Sequence, residues 1–460
     1  MQKHDVGQSD RSSVMSQLLK ERDYYLSSYE RFERERTEEP TTTREMRRKA
    51  IAHFAESGFP TTHDEDWKYT NIAPIVRVPY RSTVDQRKFR VGKDIAQLKL
   101  GTVAPATVVF VNGHYSAESS SLAALPSGVE LRSIAGLLRA PAAIESNLAR
   151  YATCADQAFV ALNTAFMEDG VFIRVGRGIV LKEPIHLLFV STADSGPFIS
   201  HPRNVIVTEE GAQATILETY AAPRETVYFT NSVTELVVGA NSALTYCKLQ
   251  CEAQNAFHVA TVQAQLEPSA TFSSHSISIG ASIARNDITA VLDGEGADCL
   301  FNGLYLTTGN QHVDNHTRID HAKPNCVSRE LYKGVLAGKS RAVFNGKICV
   351  HPQAQNSDAK QTNKNLLLSA DATINTKPQL EIFADNVRCT HGSTVGQLDL
   401  DALFYLRSRG ISCRAARACL TAAFAREITN QLTLQALRAW LEEIVMTRLP
   451  GSPPNEGDSL

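Results

Sequence analysis

A short block with a small residue in its fourth place recurs through the second half of the chain. Its alanines are separated by 29, 27, 27, 45 and 30 positions; they are Ala214, Ala243, Ala270, Ala297, Ala342 and Ala372. Self-similarity of this kind is typical of a solenoid, in which each coil buries its apolar face against its neighbours. We interpret the interval of 45 as one full coil plus a shorter one. We expect the small residues to lie at inner corners, where they let successive coils approach closely.

Short β-branched and apolar runs surround these blocks, for example residues 204–208 and 234–238. They are bounded by Gly, Asn and Asp, which is the pattern of strands separated by turns. The sequence therefore predicts a mainly β protein with regular coils over about residues 170–398.

The composition of the chain excludes several classes of function. A chain of 460 residues exceeds the usual size of one core, so we expect two or three structural regions. The net charge of −2 argues against nucleic-acid binding, because no basic stripe exists to displace phosphate counterions. No apolar run approaches a membrane span, and Met1 to Lys20 has no apolar stretch typical of a secretion signal. We expect a cytoplasmic protein whose nine cysteines are reduced thiols.

Helical periodicity flanks the predicted coils on both sides. Apolar residues between positions 10 and 58 are spaced for one helix face, and a helical period returns after Leu398. A further helical patch is predicted around Leu131 to Asn163. The predicted regions are 1–102 (N-terminal helical domain with a connector), 103–398 (solenoid core), 399–449 (C-terminal helical domain) and 450–460 (disordered tail).

Local signals mark the ends of some elements. Asp399 to Arg409 is predicted as a short helix that ends at Gly410, and Ser412 is the predicted N-cap of the next helix. The polar segment from Phe59 to Thr70 contains Trp67, a large aromatic anchor. We expect this connector to pack against the rest of the protein.

The most informative polar segment contains Cys389 and His391. Residues two apart in a strand point to the same face, about 6.6 Å apart along the backbone. Thiolate and imidazole are ligands that suit iron and zinc, but two ligands do not saturate either metal. The remaining ligands of a cluster would come from elsewhere, most simply from another chain. The alternative is a small core cysteine beside a hydrogen-bonded edge histidine.

A second polar segment places alternate residues on one strand face; they are His312, Asp314, His316, Arg318 and Asp320. This face could form a carbohydrate-cleaving groove or a metal patch, and two carboxylates beside basic groups suit acid/base chemistry. The alternative is the solvated outer face of a sheet. Cys247 and Cys251 also share a strand face, where core packing is the expected role.

Several short motifs occur together in a characteristic order; they are Phe59-Pro60, Trp67 to Thr70, Asn302-Gly303, Asp314 to His316, Lys333 to Val335, Phe344 to Ile348, Gln361 to Asn365, Pro378 to Ile382, Cys389 to Gly392 and Tyr405 to Ile411. In these motifs the chain resembles the SufB/SufD family of iron–sulfur cluster assembly subunits, over most of its length. It has no cysteine cluster near the N-terminus such as SufB often carries, which favours the SufD branch.

The resemblance implies a right-handed parallel β-helix flanked by N-terminal and C-terminal helical domains. It implies that the β-helix pairs with that of SufB and that the C-terminal helices dock on the ABC-type ATPase SufC. Expressed alone, the chain could pair with a second copy of itself. The implied partners include neither nucleic acid nor membrane.

The resemblance also assigns roles to residues. His391 is similar to a histidine implicated in cluster formation at the SufB interface, with Cys389 beside it. The implied iron–sulfur cluster is transient and shared with SufB, so this chain alone binds no cofactor. The sequence contains no phosphate-cradling GxxxxGK[ST] motif, and the implied role is therefore a non-catalytic scaffold whose partner SufC hydrolyses ATP.

The expected ATPase-facing surface lies on the C-terminal helices; its residues are Phe404, Leu406, Arg409, Gly410 and Phe424. The alternative is that their apolar side chains pack against the chain's own solenoid. Two other functions stay open. One is a β-helix polysaccharide lyase or hydrolase with a groove around Asp314, Arg318 and Asp320, and the other is a homodimeric structural β-helix without metal chemistry.

Overall fold

The computed structural model describes residues 6–82, 104–122, 125–140, 147–155, 157–192 and 196–448. The helices are Val6–Arg34, Thr41–Ser57, Ala73–Val76, Ile134–Leu137, Ala158–Phe166, Leu400–Ser408, Cys413–Thr429 and Gln435–Arg448, with a 3₁₀ turn at Glu65–Trp67. The predicted tail at 450–460 and residues 83–102 of the predicted N-terminal region lie outside the described residues.

The strands are β1 Arg81–Ser82, β2 Ala106–Val111, β3 His114–Tyr115, β4 Val129–Ser133, β5 Val171–Val175, β6 Ile185–Val190, β7 Phe198–Ser200, β8 Arg203–Thr208, β9 Gln213–Ala221, β10 Tyr228–Val238, β11 Ala243–Cys251, β12 Phe257–Leu266, β13 Thr271–Ile279, β14 Ile283–Leu292, β15 Asp298–Thr307, β16 His312–His321, β17 Val327–Leu336, β18 Arg341–Val350, β19 Asp358–Leu367, β20 Thr373–Ile382 and β21 Arg388–Gly396.

Alternate strands belong to two facing sheets. The first sheet runs β5, β8 and then every second strand to β20, and the second runs β6, β9 and then every second strand to β21, with parallel pairing along both. Each coil contributes one strand to each sheet, so the chain forms a solenoid of about eight turns. The predicted mainly β solenoid with flanking helical regions is confirmed.

The inner corner of the second sheet holds a column of small residues, but only two of the six repeat alanines belong to it. Ala270 and Ala297 are buried there, and their carbonyls accept hydrogen bonds of 2.9 and 3.0 Å from the next coil. Ala214 instead lies within strand β9, and Ala342 lies in the opposite sheet. The repeat alanines do not share one corner position, because coil length varies from 27 residues after Ala270 to 31 after Cys326. The interval of 45 residues from Ala297 to Ala342 corresponds to about one and a half coils, because Ala297 borders the second sheet and Ala342 lies in the first.

The two ends of the solenoid differ. At the N-terminal end, strand β5 pairs with the antiparallel strand β4, and β6 is followed by β2 and the antiparallel β3. At the C-terminal end, β20 and β21 each pair with a described strand on one side only. In the described part of the chain the solenoid therefore finishes in short antiparallel strands at its N-terminal end and in two long parallel strands at its C-terminal end, whose outer edges carry unpaired backbone groups.

Helices cover the outer face of each sheet. The N-terminal helices pack on the first sheet through Ala158–Phe166, where Phe159 contacts Phe229 and Trp67. The C-terminal helices pack on the second sheet, where Ile428 and Leu441 join the outward-facing leucines of the strands. Full burial of each such side chain stabilises the fold by about 1.5 to 3 kcal/mol. The outer strand faces are apolar because the helices remove them from water.

Two local predictions are confirmed and a third is confirmed in part. Gly410 follows the short helix with φ of 85°, and the Ser412 side chain caps the next helix by accepting a hydrogen bond from Ala415 N. The predicted helical patch from Leu131 to Asn163 contains the helix Ile134–Leu137 and most of Ala158–Phe166. It begins with a strand, because Val129–Ser133 pairs with β5 and that pairing overrides local propensity. Among the described residues, no helix combines the length and apolarity that crossing a membrane requires.

Candidate functional site

Cys389 and His391 lie on β21, the last strand of the solenoid. Cys389 is opposite Ala359 and His391 is opposite Gln361 on the preceding strand of the sheet. Ala359 and Gln361 are buried inside the coil, so both terminal positions continue columns of inward-facing residues. His391 is nevertheless exposed, because no described strand follows it.

The column that ends at His391 becomes polar toward the open end. Register places Phe301, Glu330, Gln361 and His391 on successive strands of the second sheet. Gln361 Nε2 donates a hydrogen bond of 2.7 Å to a carboxylate oxygen of Glu330. Burial raises the pKa of Glu330 to about 7, even though hydrogen bonds from Thr317 and Gln361 act to lower it. Ionisable and amide side chains thus occupy successive strands from the interior of the solenoid to its open end.

Cys389 is half-buried in an apolar corner with Ala384, Val387 and Leu380. Burial raises the pKa of its thiol, and the nearby carboxylate of Asp358 raises it further, while a backbone hydrogen bond to Ala359 opposes both effects. Without a metal, Cys389 is therefore a neutral thiol at pH 7. A metal ion would have to displace its proton.

The described residues give Cys389 and His391 no third ligand. No group of three or more His, Cys, Asp or Glu donors within mutual reach includes either residue in the described ranges. The predicted metal-binding role of the pair stays a prediction, and it requires donors from another molecule.

Exposed apolar side chains surround the open end. Phe383 follows β20 and Val395 lies on β21, and both are exposed. The helix Leu400–Ser408, capped by the carboxylate of Asp399, has no buried residue among its nine. Its Leu400 and Phe404 are 75% and 74% exposed. Large apolar side chains that stay exposed in this part of the chain are a feature of protein interfaces.

The five residues of the predicted ATPase surface differ in their surroundings. Phe404, Arg409 and Gly410 are exposed, whereas Leu406 is half-buried. Phe424 packs at the edge of the cluster between the C-terminal helices and the second sheet, where the Lys333 ammonium lies 4.0 Å from its ring centre. The Phe424 side chain is therefore partly covered by the chain's own solenoid.

The connector covers the polar strand β16. Thr70 Oγ1 donates a hydrogen bond of 2.6 Å to Asp314 Oδ2 and lies 2.8 Å from His312 Nε2. Trp67 stacks on Arg285, whose guanidinium carbon is 3.7 Å from the ring centre. Asp314 is buried, so the alternative of a wholly solvated outer face was wrong. The connector packs, as predicted.

The charges around Asp314 are compensated within this packing. Arg285 Nη1 lies 2.7 Å from Asp314 Oδ2, and His316 Nε2 lies 3.0 Å from Oδ1. Burial acts to raise the pKa of Asp314, but His316 and Arg285 outweigh it and hold that pKa well below its usual range. The Asp314 carboxylate is therefore ionised, with Arg285 beside one oxygen and His316 beside the other.

These contacts do not support the carbohydrate-cleaving groove. Asp314 and Asp320 are six residues apart on one strand, which is about 20 Å at the usual rise per residue. Catalytic carboxyl pairs of glycosidases lie about 5 to 9.5 Å apart. Each aspartate is also bound to an arginine, Asp314 to Arg285 and Asp320 to Arg318. The predicted pair cannot act together on one glycosidic bond.

One cluster of possible ligands was not identified from the sequence. Asp320, Cys349 and His351 bring a carboxylate oxygen, a sulfur and an imidazole nitrogen within 4.8 Å of one another. The signal that could have revealed it is the Cys-x-His spacing of Cys349 and His351, which recurs at Cys389 and His391. Cys247 is buried beneath the C-terminal helices, in agreement with the expected core packing.

Comparison with known proteins gives two matches to family models. Residues 189–424 match the model described as "SUF system FeS cluster assembly, SufBD core domain". Residues 19–187 match the model described as "SufBD protein N-terminal region". Together the two matches cover the solenoid, most of the N-terminal helices and part of the C-terminal helices.

Individual relatives agree with these matches. An iron–sulfur cluster assembly SufBD family protein of Synechocystis is 33% identical over 400 residues, which cover 85% of this chain and 87% of the relative. The iron–sulfur cluster assembly protein SufD of Escherichia coli is 32% identical over 87% of this chain and 92% of its own. The assembly protein SufB of Bacillus subtilis is 28% identical over 61% of this chain and 60% of its own.

Proposed function

The chain belongs to the SufBD family of iron–sulfur cluster assembly proteins, and on this basis we propose that it is a scaffold subunit that pairs with SufB and with the ATPase SufC. In this proposal it is not itself a catalyst. The cluster is cargo that forms transiently where the two solenoids meet, and the assembly is cytoplasmic.

The observation that carries the proposal is the contrast between the two solenoid ends. The N-terminal end finishes in antiparallel strands of five and two residues, whereas β20 and β21 are ten and nine residues long, run parallel to their neighbours and have an open edge in the described chain. A second solenoid can continue both sheets there by strand addition. Cys389 and His391 lie on that edge strand, so SufB would supply the ligands that they lack.

The C-terminal helices suit contact with an ATPase. Leu400–Ser408 exposes Phe404 and buries no residue, so its apolar side chains are available to SufC. The following helix is attached to the second sheet, since Glu427 pairs with Lys333 of β17 at 2.7 Å and with Lys364 of β19 at 3.2 Å. Strand β19 pairs with β21. A nucleotide-driven shift of these helices would therefore be transmitted to the edge that carries His391.

The first experiment tests the shared cluster site. The chain is co-expressed with SufB and SufC of the same organism, purified through a tag on this chain, and analysed for iron and acid-labile sulfide. We expect the complex to contain both partners and His391→Ala to retain them while losing iron and sulfide. Thr390→Ala is the matched control, because Thr390 is exposed and lies on the other face of the same strand.

The outcomes separate the alternatives. Purification of a homodimer without SufB or SufC would contradict the scaffold proposal. If the His391→Ala complex has a normal iron and sulfide content, the pairing with SufB and SufC still holds, but His391 has no role in cluster formation.

The second experiment tests the ATPase surface. Phe404→Ser should weaken retention of SufC while SufB remains bound. Leu122→Ser is the control, because Leu122 is also exposed and apolar but belongs to a segment near the N-terminal end of the solenoid. Equal loss of SufC in both variants would contradict a specific role for Phe404.

A further inference from the structure

We propose that Asp320, Cys349 and His351 form a binding site for one divalent transition-metal ion, separate from Cys389 and His391. The chemical class is a borderline ion such as Zn²⁺ or Fe²⁺, because the donor set combines sulfur, nitrogen and oxygen. This inference goes beyond the scaffold role.

Strand register brings the three donors together. Asp320 of β16 is directly opposite Cys349 of β18 in a parallel ladder. The backbone N–H of His351 donates a hydrogen bond of 3.0 Å to His321 O, which continues that ladder beyond the end of β18. Cys349 and His351 are two residues apart in this extended segment, so their side chains share a face. All three donor atoms lie within 4.8 Å of one another.

The shared face is the outer face of the first sheet. Ile319, Ile348 and Val350, the neighbours of Asp320 and Cys349, are the residues that point into the apolar interior. Cys389 and His391 instead continue columns inside the second sheet. The two Cys-x-His pairs therefore face different surroundings and can be altered independently.

Burial holds the site in position while leaving a path for an ion. Asp320 and Cys349 are 8% and 5% exposed, and His351 is half-buried at the rim. Two buried ligands have little side-chain freedom to lose when a metal binds, which favours affinity. The rim histidine gives access from solvent.

The surrounding charges balance the carboxylates when no metal is bound. Arg318 Nε lies 2.9 Å from both oxygens of Asp320, and Lys347 pairs with Glu381 at 2.7 Å. An ionised carboxylate has about four acceptor sites, so Asp320 can keep Arg318 and still bind a metal. Glu381 is opposite Cys349 on β20 and could add a fourth donor by leaving Lys347.

Metal binding at this site has a simple proton balance. The ion forms bonds to Cys349 Sγ, one imidazole nitrogen of His351 and one oxygen of Asp320. The thiol proton of Cys349 leaves to solvent, and no electron is transferred. At least one coordination position remains for water or Glu381.

The test measures metal binding by the full-length chain under anaerobic conditions, with Zn²⁺ and Fe²⁺ in separate arms and Co²⁺ as a spectroscopic probe of thiolate ligation. All proteins carry Cys389→Ala and His391→Ala, which removes the pair at the open end. We expect one equivalent of ion in this background. Cys349→Ser, His351→Ala and Asp320→Asn should each weaken binding more than about 100-fold, since loss of an outer-shell partner alone costs about 10- to 100-fold.

The control is Cys413→Ser, because Cys413 is exposed and belongs to no cluster of potential ligands in the described chain. It should leave binding and the cobalt–thiolate spectrum unchanged. Circular dichroism of each variant reports folding, and His351→Ala keeps the test valid if Cys349→Ser is unfolded, because His351 lies at the rim. Equal ion binding by the background protein and by folded His351→Ala, in both the Zn²⁺ and Fe²⁺ arms, would overturn the proposal.

Discussion

Thr70 and Asp314 are joined by a hydrogen bond of 2.6 Å although 244 positions separate them in the chain. Asp314 also pairs with Arg285, and the Arg285 guanidinium lies under the ring of Trp67. Two connector residues thus bind to two adjacent strands of the first sheet. The connector is held in place by an ionic and aromatic contact, not only by the apolar layer beneath the N-terminal helices.

Asp314→Ala should detach this contact. The change leaves the buried Arg285 without its closest fully buried carboxylate, and breaking such a pair costs about 3 kcal/mol or more. The chain has two tryptophans, so Trp67 fluorescence in a Trp440→Phe background reports denaturation at the connector. Asp293→Ala removes an exposed pair with Lys323 and should cost about 1 kcal/mol or less. Equal denaturation midpoints for the two variants would contradict the prediction.

The same carboxylate predicts an acid dependence. Because the folded-state pKa of Asp314 lies below that of the unfolded chain, its contribution to stability is fully present above the unfolded pKa of about 3.9. It is lost as pH falls through the folded-state pKa. The stability difference between wild type and Asp314→Asn should therefore shrink as pH falls below about 4. A difference that grows on acidification would contradict the assignment.

Glu330 predicts a dependence of the opposite sign. Its folded-state pKa is about 7 against an ordinary value of 4.5, so between these values the folded chain holds a proton that the unfolded chain releases. Stability should fall over this interval by on the order of 3 kcal/mol. Glu330→Gln has no such proton and should gain stability relative to wild type as pH rises from 4 to 8. Denaturation at several pH values measures this, and Glu183→Gln, at an exposed position, should show no such gain.

Ala270→Leu should overpack the inner corner between coils. Ala270 is completely buried, and its carbonyl accepts a hydrogen bond from the next coil, so the backbone cannot move away freely. We expect a loss of about 1 to 3 kcal/mol, seen as a lower thermal midpoint. Ala370→Leu is the control, because Ala370 lies in an exposed turn. An unchanged midpoint for Ala270→Leu would show that the corner has spare volume.

Sequence periodicity predicts the solenoid and the strand that carries Cys389 and His391, because alternation within one strand is local. Periodicity does not predict which residues occupy equivalent positions in successive coils. The number of residues from Ala270 to Ala297 differs from the number between Cys326 and Ser357, so no single period fits both. The burial of Asp314 depends on Thr70, and the approach of Asp320 to Cys349 depends on register between neighbouring coils. Contacts of this range are set by tertiary packing, which residue spacing does not encode.

The unequal strands at the two termini have a consequence for assembly size. A rod that accepts a neighbour equally well at either terminus goes on adding copies and grows into a filament. Here one terminus offers parallel strands of ten and nine residues, and the other offers antiparallel strands of five and two residues. Stacking through the longer strands makes many more backbone hydrogen bonds, so it favours pairs over longer rows.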